Sequence, residues 1–407
     1  MLTLTQPSQT TIDYRITTPM FLGGAKPQEV DATQFRNASF KGALRFWWRA
    51  LHWGQFLREA QGDVAQALKN LHHKEGALFG KASDGNDSRQ SAVRVQSKLK
   101  NVQRNNAPLS GIAYLLGQGL TDRQYLTQGS LCITLQYACA LPADDIASIE
   151  RAAIALGLFG GLGSRSRKGL GSLAIQSLQR EQGGEPKDAK QFGTINAIEA
   201  FVKEELDFSA PASPLPPFTA FSQACRIDIS CQDNDAVKTL ETIKHEMQMY
   251  RSWGKNGKVN GLPSEKNFQD DHDLIRDALR KEASLNALPR RSAFGLPHNY
   301  FFSSLHDSRF DKMEISPKGQ TKEKGRRASP LFIHIHAIDN SKYIAIQTFI
   351  PAIFLHQEMV VEVEPAKGRS KGRARFLKNT KIEYNVIHDY LNRFKEKPNY
   401  KELRRHG

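Results

Sequence analysis

Early in the chain the residues alternate strictly: in "TIDYRIT" Ile12, Tyr14 and Ile16 are separated by Asp13 and Arg15. That two-residue period predicts a half-buried strand. Beyond the loop "TPMFLGGAKP" the period lengthens. In "SFKGALRFWWRALHWG" Leu44, Trp47, Trp48 and Leu51 share one helical stripe, with Ser39 placed to cap the helix and Gly54 to end it. Residues 55–127 lose any clear period; they include "KASDGNDSRQ" and the basic "RVQSKLKNVQRNN", and read as a surface insertion. Alternation returns in "SLCITLQY" through Leu131, Ile133, Leu135 and Tyr137. A helix follows in "PADDIASIERAAIALGLF", with Ile146, Ile149, Ala153 and Leu156 inward and acids in its first turn. A glycine-rich loop and the strand-like "LGSLAIQSL" complete the first half. Strand, helix, insertion, strand, helix, strand is the order of a split β-α-β with an antiparallel sheet, the ferredoxin-like layout.

Between Gln179 and Phe218 the composition turns to charge and then to "SAPASPLPPF", whose four prolines read as a linker. A second run of elements follows: "CRIDIS" alternates as a strand, and Val237, Leu240, Ile243, Met247 and Tyr250 line a helix. "SPLFIHIHAI" and "YIAIQTFIPAIF" read as strands, and "KIEYNVIHDYLNRF" closes as a helix. The expected fold is α+β, two tandem ferredoxin-like domains with insertions. Residues 1–208 form the first, with its insertion at 55–127 and its glycine-rich loop at 160–171; residues 209–219 form the linker and 220–407 the second domain.

Composition narrows the partners. The 407 residues carry 57 Lys and Arg against 42 Asp and Glu, a formal charge of +15 that favours a polyanion. No stretch approaches the ~20 apolar residues that span a bilayer, and the start "MLTLTQPSQT" lacks the regions of a secretory signal. Cys132, Cys139, Cys225 and Cys231 show no C-x-x-C spacing; Cys225 and Cys231 fall on the apolar phase of their strand and read as core. A reducing cytoplasm fits this use.

The strongest chemical signal is "GLFGGLGSRSRKGLGSL", residues 157–173. A nucleotide-hydrolase P-loop sits after a strand and before a helix, whose N-terminus supplies donors for phosphate. Here the order is reversed and Lys168-Gly169 does not match that motif. What remains is a backbone with free amides beside Arg165, Arg167 and Lys168, suited to the phosphates of a polymer; a solvated basic turn fits the same composition. On the predicted first helix Lys41, Arg45 and Arg49 recur every four residues, either a phosphate-gripping face or its wet side. Phe46 and Trp53 beside them are base-stacking candidates or core. His334 and His336 share one face of a strand but have no further ligands at a metal-site spacing. "DDHD" at 270–273 reads as acids at a helix start, and His72 and His73, which could act as a general base and acid, read as exposed. No cofactor, metal or catalytic residue is expected. Basic segments at 318–327 and 367–381 could order on a phosphate backbone.

"TPMFLGGA", "FKGALRFWWRAL" and "GLFGGLGSRSRKGLGSL", in this order, resemble the first RAMP subunit of type III-B (Cmr) CRISPR effector complexes, and "AFGLP" and "RRASPLFIHIHAI" resemble that family's second half. The resemblance implies tandem ferredoxin-like, RNA-recognition-like domains and a non-catalytic, RNA-binding role in antiviral defence. Its implied partners are guide RNA near its 3′ end, the 5′ part of target RNA, and other subunits, above all the adjacent backbone subunit. The implied RNA contacts are Lys41, Arg45, Arg49, Arg165, Arg167 and Lys168, with Arg326 and Arg327 further on. Gly160, Gly161, Gly163, Gly169 and Gly171 would allow close backbone approach. A RAMP-type endoribonuclease that processes repeat RNA shares the fold and is the alternative.

Overall fold

The computed structural model describes residues 8–405 except Ala25, Pro27, 83–87, Gln118, Lys255, 281–284, Asn286, 303–311, 319–324, Asn340, 357–358, 366–374 and 378–381. Its first half runs β1 (Gln9–Ile16), α1 (Asn37–Glu59), α2 (Val64–Phe79), β2 (Val93–Lys100), β3 (Ser130–Tyr137), α3 (Ala143–Phe159), β4 (Leu173–Gln182), β5 (Glu185–Gln191) and α4 (Ile195–Glu204). These strands form one antiparallel sheet in the order β2-β3-β1-β4-β5. Without the added edge strand β5 this is the ferredoxin-like order. One face of the sheet buries Ile12, Tyr14, Leu131, Ile133 and Leu135 against Phe40, Leu44, Trp48, Ile149 and Ala153. Each large apolar side chain so covered contributes roughly 1.5–3 kcal/mol.

Three local expectations are corrected. Helix α1 is 23 residues long; it starts before Ser39 and runs through Gly54. That glycine is internal because a Cβ there would lie 2.8 Å from both the Asp207 carboxylate and the Ser209 hydroxyl, so it admits a neighbouring chain. The stretch 55–127 is no surface insertion throughout, for it supplies β2, the second strand of the fold. The proline-rich linker is packed at its C-terminal end: Phe218 meets Trp53 edge-on at 5.3 Å, and just beyond it Phe221 donates its amide to the Ala50 carbonyl at 3.0 Å.

The second half runs β6 (Arg226–Asp233), α5 (Ala236–Arg251), α6 (Gln269–Arg280), β7 (His298–Phe301), β8 (Lys312–Lys318), β9 (Leu331–Ile338), β10 (Lys342–Phe349), β11 (Val360–Pro365), β12 (Arg375–Leu377), α7 (Asn385–Asn392) and β13 (Lys401–Arg404). Sheet order β9-β10-β6-β13 repeats that of the first module's four strands β2-β3-β1-β4. The protein is therefore α+β with tandem ferredoxin-like modules. Cys225 and Cys231 are buried, as their apolar phase predicts.

Compactness divides the chain differently from 1–208, 209–219 and 220–407. One unit comprises 1–244, 332–350 and 395–407 and holds both ferredoxin-like sheets; the other comprises 245–331 and 351–394. The latter contains the antiparallel sheet β7-β8-β11-β12, with Ile275, Tyr300, Phe302, Met313, Ile315 and Val361 in its core.

Candidate nucleic-acid interface

The glycine-rich loop joins α3 to β4, so it follows a helix and precedes a strand. Its backbone is held on two sides. Gly171 donates to the Pro19 carbonyl and Ser164 to that of Phe21, both at 2.9 Å; Leu162 donates to Gly171 at 2.9 Å and Lys168 to Arg165 at 2.8 Å. Thr18 donates its hydroxyl to the Gly169 carbonyl and accepts from the Ser172 amide. The flexible turn with free amides expected from composition is thus not what forms, because the segment Thr18–Phe21 pairs with it.

The glycines have partners inside the chain. A Cβ on Gly160 would come 2.7 Å from the Trp47 indole nitrogen, one on Gly161 2.7 Å from the Gly171 carbonyl oxygen, and one on Gly169 2.6 Å from Leu240. Gly163 and Gly171 also require left-handed backbone, with φ of 92° and 62°, and there a Cβ would meet the carbonyl oxygens of Phe21 at 2.5 Å and Leu162 at 2.0 Å. Close approach is the reason for these glycines, and what approaches is the protein itself.

The loop presents its three cations unequally. Arg165 is exposed and its guanidinium stands beside Gly117. Arg167 is half-buried, its guanidinium 4.4 Å from the Phe332 ring centre and 5.4 Å from that of Phe46. Lys168 is half-buried where the loop bridges β9: Ile333 donates its amide to the Arg167 carbonyl at 3.1 Å.

On α1 the basic residues are partly exposed and two of them share a buried acid. Arg45 Nε lies 2.6 Å and Arg49 Nη1 3.0 Å from Oε1 of Glu75, a carboxylate only 1% exposed on α2. One acid holds two of the three cations. Lys41 is half-buried, and that burial, with Arg45 nearby, lowers its ammonium pKa from the ordinary value. Phe46 packs on Trp47 and Phe332, and Trp53 is buried, so neither offers a free base platform. Sequence reasoning overlooks Glu75, although it stands on the apolar stripe Leu71, Leu78, Phe79, where an acid signals a buried partner. Glu75→Gln is expected to lose about 2 kcal/mol in urea unfolding, less than a fully buried pair because both guanidiniums are about a third exposed. Arg45→Ala should lower stability while leaving the salt dependence of any RNA binding unchanged.

In the other compact unit Arg326 is exposed, whereas Arg327 is spent structurally. It exchanges backbone bonds with Leu296 and donates Nη2 to the Ile353 carbonyl at 2.8 Å. Burial lowers its pKa, against the opposing influence of Tyr384. Asp271 of the "DDHD" stretch accepts the amides of Arg290 and Arg291 at 2.7 Å each, a structural role. The basic segments 318–327 and 367–381 fall largely outside the described residues.

The histidines separate clearly. His72 and His73 are exposed on α2. His334 and His336 are fully buried: His334 donates Nδ1 to the Gly160 carbonyl at 2.6 Å, and His336 uses Nε2 toward that of Phe192 at 2.8 Å. Burial above all pulls their pKa values down to about 3 and about 4. They staple β9 to the first module. Among the described residues no cluster of three or more His, Cys, Asp or Glu is placed to hold a metal ion, and no helix is long and apolar enough to cross a membrane.

Residues 13–174 match the RAMP superfamily. The Pyrococcus furiosus protein named CRISPR system Cmr subunit Cmr1-1 is 28% identical over 180 residues, 43% of this chain and 50% of that protein. Cmr subunit Cmr1-2 of the same organism is 27% identical over 198 residues, 41% of this chain and 95% of its own. The alignment thus spans half of the first relative. The crystal structure of apo Cmr1 from P. furiosus superposes with a TM-score of 0.52 at 17% identity, covering 97% of this chain and 98% of that one. A chain of the type III-B Cmr-beta complex bound to cognate target RNA superposes with a TM-score of 0.50 at 11% identity, covering 96% and 99%. At these identities the structural likeness is one of fold.

Proposed function

We propose that this chain, a RAMP-superfamily protein through residues 13–174, is the first RNA-binding subunit of a type III-B CRISPR ribonucleoprotein. It contacts guide RNA near its 3′ end and the 5′ part of target RNA, docks on the adjacent backbone subunit, and acts in the cytoplasm. The observation that carries this reading is the loop between α3 and β4. Its backbone is pinned to Thr18–Phe21 and to β9, so Arg165, Arg167 and Lys168 are displayed from a rigid support at little entropic cost on binding. Fixed cations without base-reading groups suit backbone gripping. The names of the Cmr1 relatives support the assignment.

The subunit binds and does not cut. Of the histidines that a metal-independent nuclease could draw on, His334 and His336 are buried and bonded to carbonyls, out of reach of a 2′-hydroxyl, and the exposed pair His72 and His73 stands on α2, distant in sequence from the glycine-rich loop. The test is single-stranded RNA binding by the full chain across a range of KCl. Arg165→Ala with Lys168→Ala is expected to weaken binding about tenfold. The slope of log affinity against log salt should become shallower by about 0.7 for each phosphate that is no longer neutralised. An unchanged slope would refute the loop assignment, and metal-free cleavage of repeat RNA by the purified chain would refute the binding-subunit reading.

A further inference from the structure

On the second face of the first module's sheet the outward residues of β1 and β3 are half-buried and those of the edge strand β2 are exposed. Side chains of β1, β2 and β3 alternate, and the residues that do not join the core stand together on that side. In register across the strands lie Lys98, Cys132 and Asp13, and in the next row Lys100, Ser130 and Arg15. Lys100 Nζ lies 3.8 Å from an Asp13 oxygen, which places both on that side. On β2 Arg94, Lys98 and Lys100 are exposed while Val93, Val95 and Leu99 turn to the core. Two-residue steps along a strand rise about 6.8 Å, so these cations extend over about 20 Å of edge strand. Arg15 adds a fourth at the row's end, where it donates to the Tyr343 hydroxyl at 2.6 Å.

The chemistry of this face is selective. An RNA-recognition sheet reads bases by stacking them on aromatic side chains. Here the positions of β1, β2 and β3 facing away from the core carry none; Thr11, Thr134, Gln96 and Gln136 stand there instead. A sheet face buried in a sandwich core is apolar, and this one is not. Polar side chains beside a row of cations, with Asp13 already partnered by Lys100, complement a polyanion that is held by phosphates and 2′-hydroxyls.

We infer that this open face is a second RNA track, on which Arg94, Lys98 and Lys100 hold a single strand by its backbone without regard to sequence. The inference rests on the RNA-binding reading and extends it to a surface remote in sequence from the glycine-rich loop.

The experiment uses the full chain with labelled oligouridylate and oligoadenylate, by fluorescence anisotropy over a range of KCl, with thermal melts as folding control. Arg94→Gln, Lys98→Gln and Lys100→Gln together are expected to lower affinity at least tenfold. The salt slope should become shallower by about 2, from three phosphates set free at roughly 0.7 each, with the melting temperature unchanged. Asp13→Asn should tighten binding, a gain that a misfolded variant cannot produce. Equal affinities for the two oligonucleotides are expected; a strong preference for one would overturn backbone gripping. If the triple variant binds as the parent does while the loop variant is weakened, the track is refuted and the proposed function stands. If the parent binds neither oligonucleotide, both fall.

Discussion

Gly171→Ala is expected to destabilise the protein by about 3 kcal/mol or more, the largest effect of any single methyl in the glycine-rich loop. The residue has φ of 62°, and a Cβ would stand 2.0 Å from the Leu162 carbonyl oxygen. Left-handed backbone on a non-glycine residue costs of order 1–3 kcal/mol, and overpacking a further 1–3. The clash has no cheap relief because the obstacle is backbone, fixed by the bonds from Leu162 to Gly171 and from Gly171 to Pro19. Gly42, on α1 with nothing within 4 Å of its Cβ position, is the control. Gly42→Ala should gain roughly 0.5–1 kcal/mol as a plain helix-propensity effect. Urea unfolding of both variants checks the pair, and equal stabilities would show that the loop yields where the geometry says it is fixed.

Acidification should strip about 3 kcal/mol through one residue, His52. It is buried in α1, stacks on Trp48 with ring centres 4.6 Å apart, and donates Nδ1 to the Trp48 carbonyl at 2.7 Å. Burial first, against the help of that carbonyl, takes its pKa from 6.5 to about 4. The folded state therefore binds the proton less readily than the unfolded chain. The contribution to stability is complete above pH 6.5 and is lost as pH falls through about 4, at about 1.4 kcal/mol per pKa unit. His336 and His334 act in the same direction, while Asp228, raised to about 6 by burial despite Arg226, acts oppositely. Comparison with His52→Phe cancels these shared terms. The difference in stability between parent and variant should shift by about 3 kcal/mol from pH 6.5 to pH 4; a constant difference would mean His52 titrates normally.

What can be read from the sequence is decided by contrast. Ile12, Tyr14 and Ile16 against charged neighbours, and the Trp47-Trp48 stripe, point to β1 and α1 directly. So does the apolar alternation of β3, β6, β9 and β10. Strand β2 escapes because it is an edge: Arg94, Gln96, Lys98 and Lys100 face water, and Ser97 interrupts the inward row. Helix α4 buries only Ile198, Phe201 and Val202 within a charged stretch, too short a stripe to stand out. The sheet β7-β8-β11-β12 joins strands with Pro317 near the end of a pairing and long connections between them. At the site, the sequence singles out the cations and hides their neighbours. Arg45 and Arg49 meet Glu75 across about thirty positions, and Arg167 meets Phe332 across a far longer stretch, pairings no local period encodes. The glycines stand out in the same way, but what presses on them is their own fold.

The staple between the modules has a mechanical consequence. His334 on Gly160, His336 on Phe192, Ile333 on Arg167 and the Thr17 hydroxyl on the Ile335 carbonyl all cross from one ferredoxin-like module to the other, far from the proline-rich stretch that joins them along the chain. That covalent connection is therefore redundant as a fastening. A nick there leaves the two sheets clasped, and any swing of one sheet against the other requires the clasp at Gly160 to open first. The stretch that reads as a linker in the sequence is therefore not what fastens the two modules.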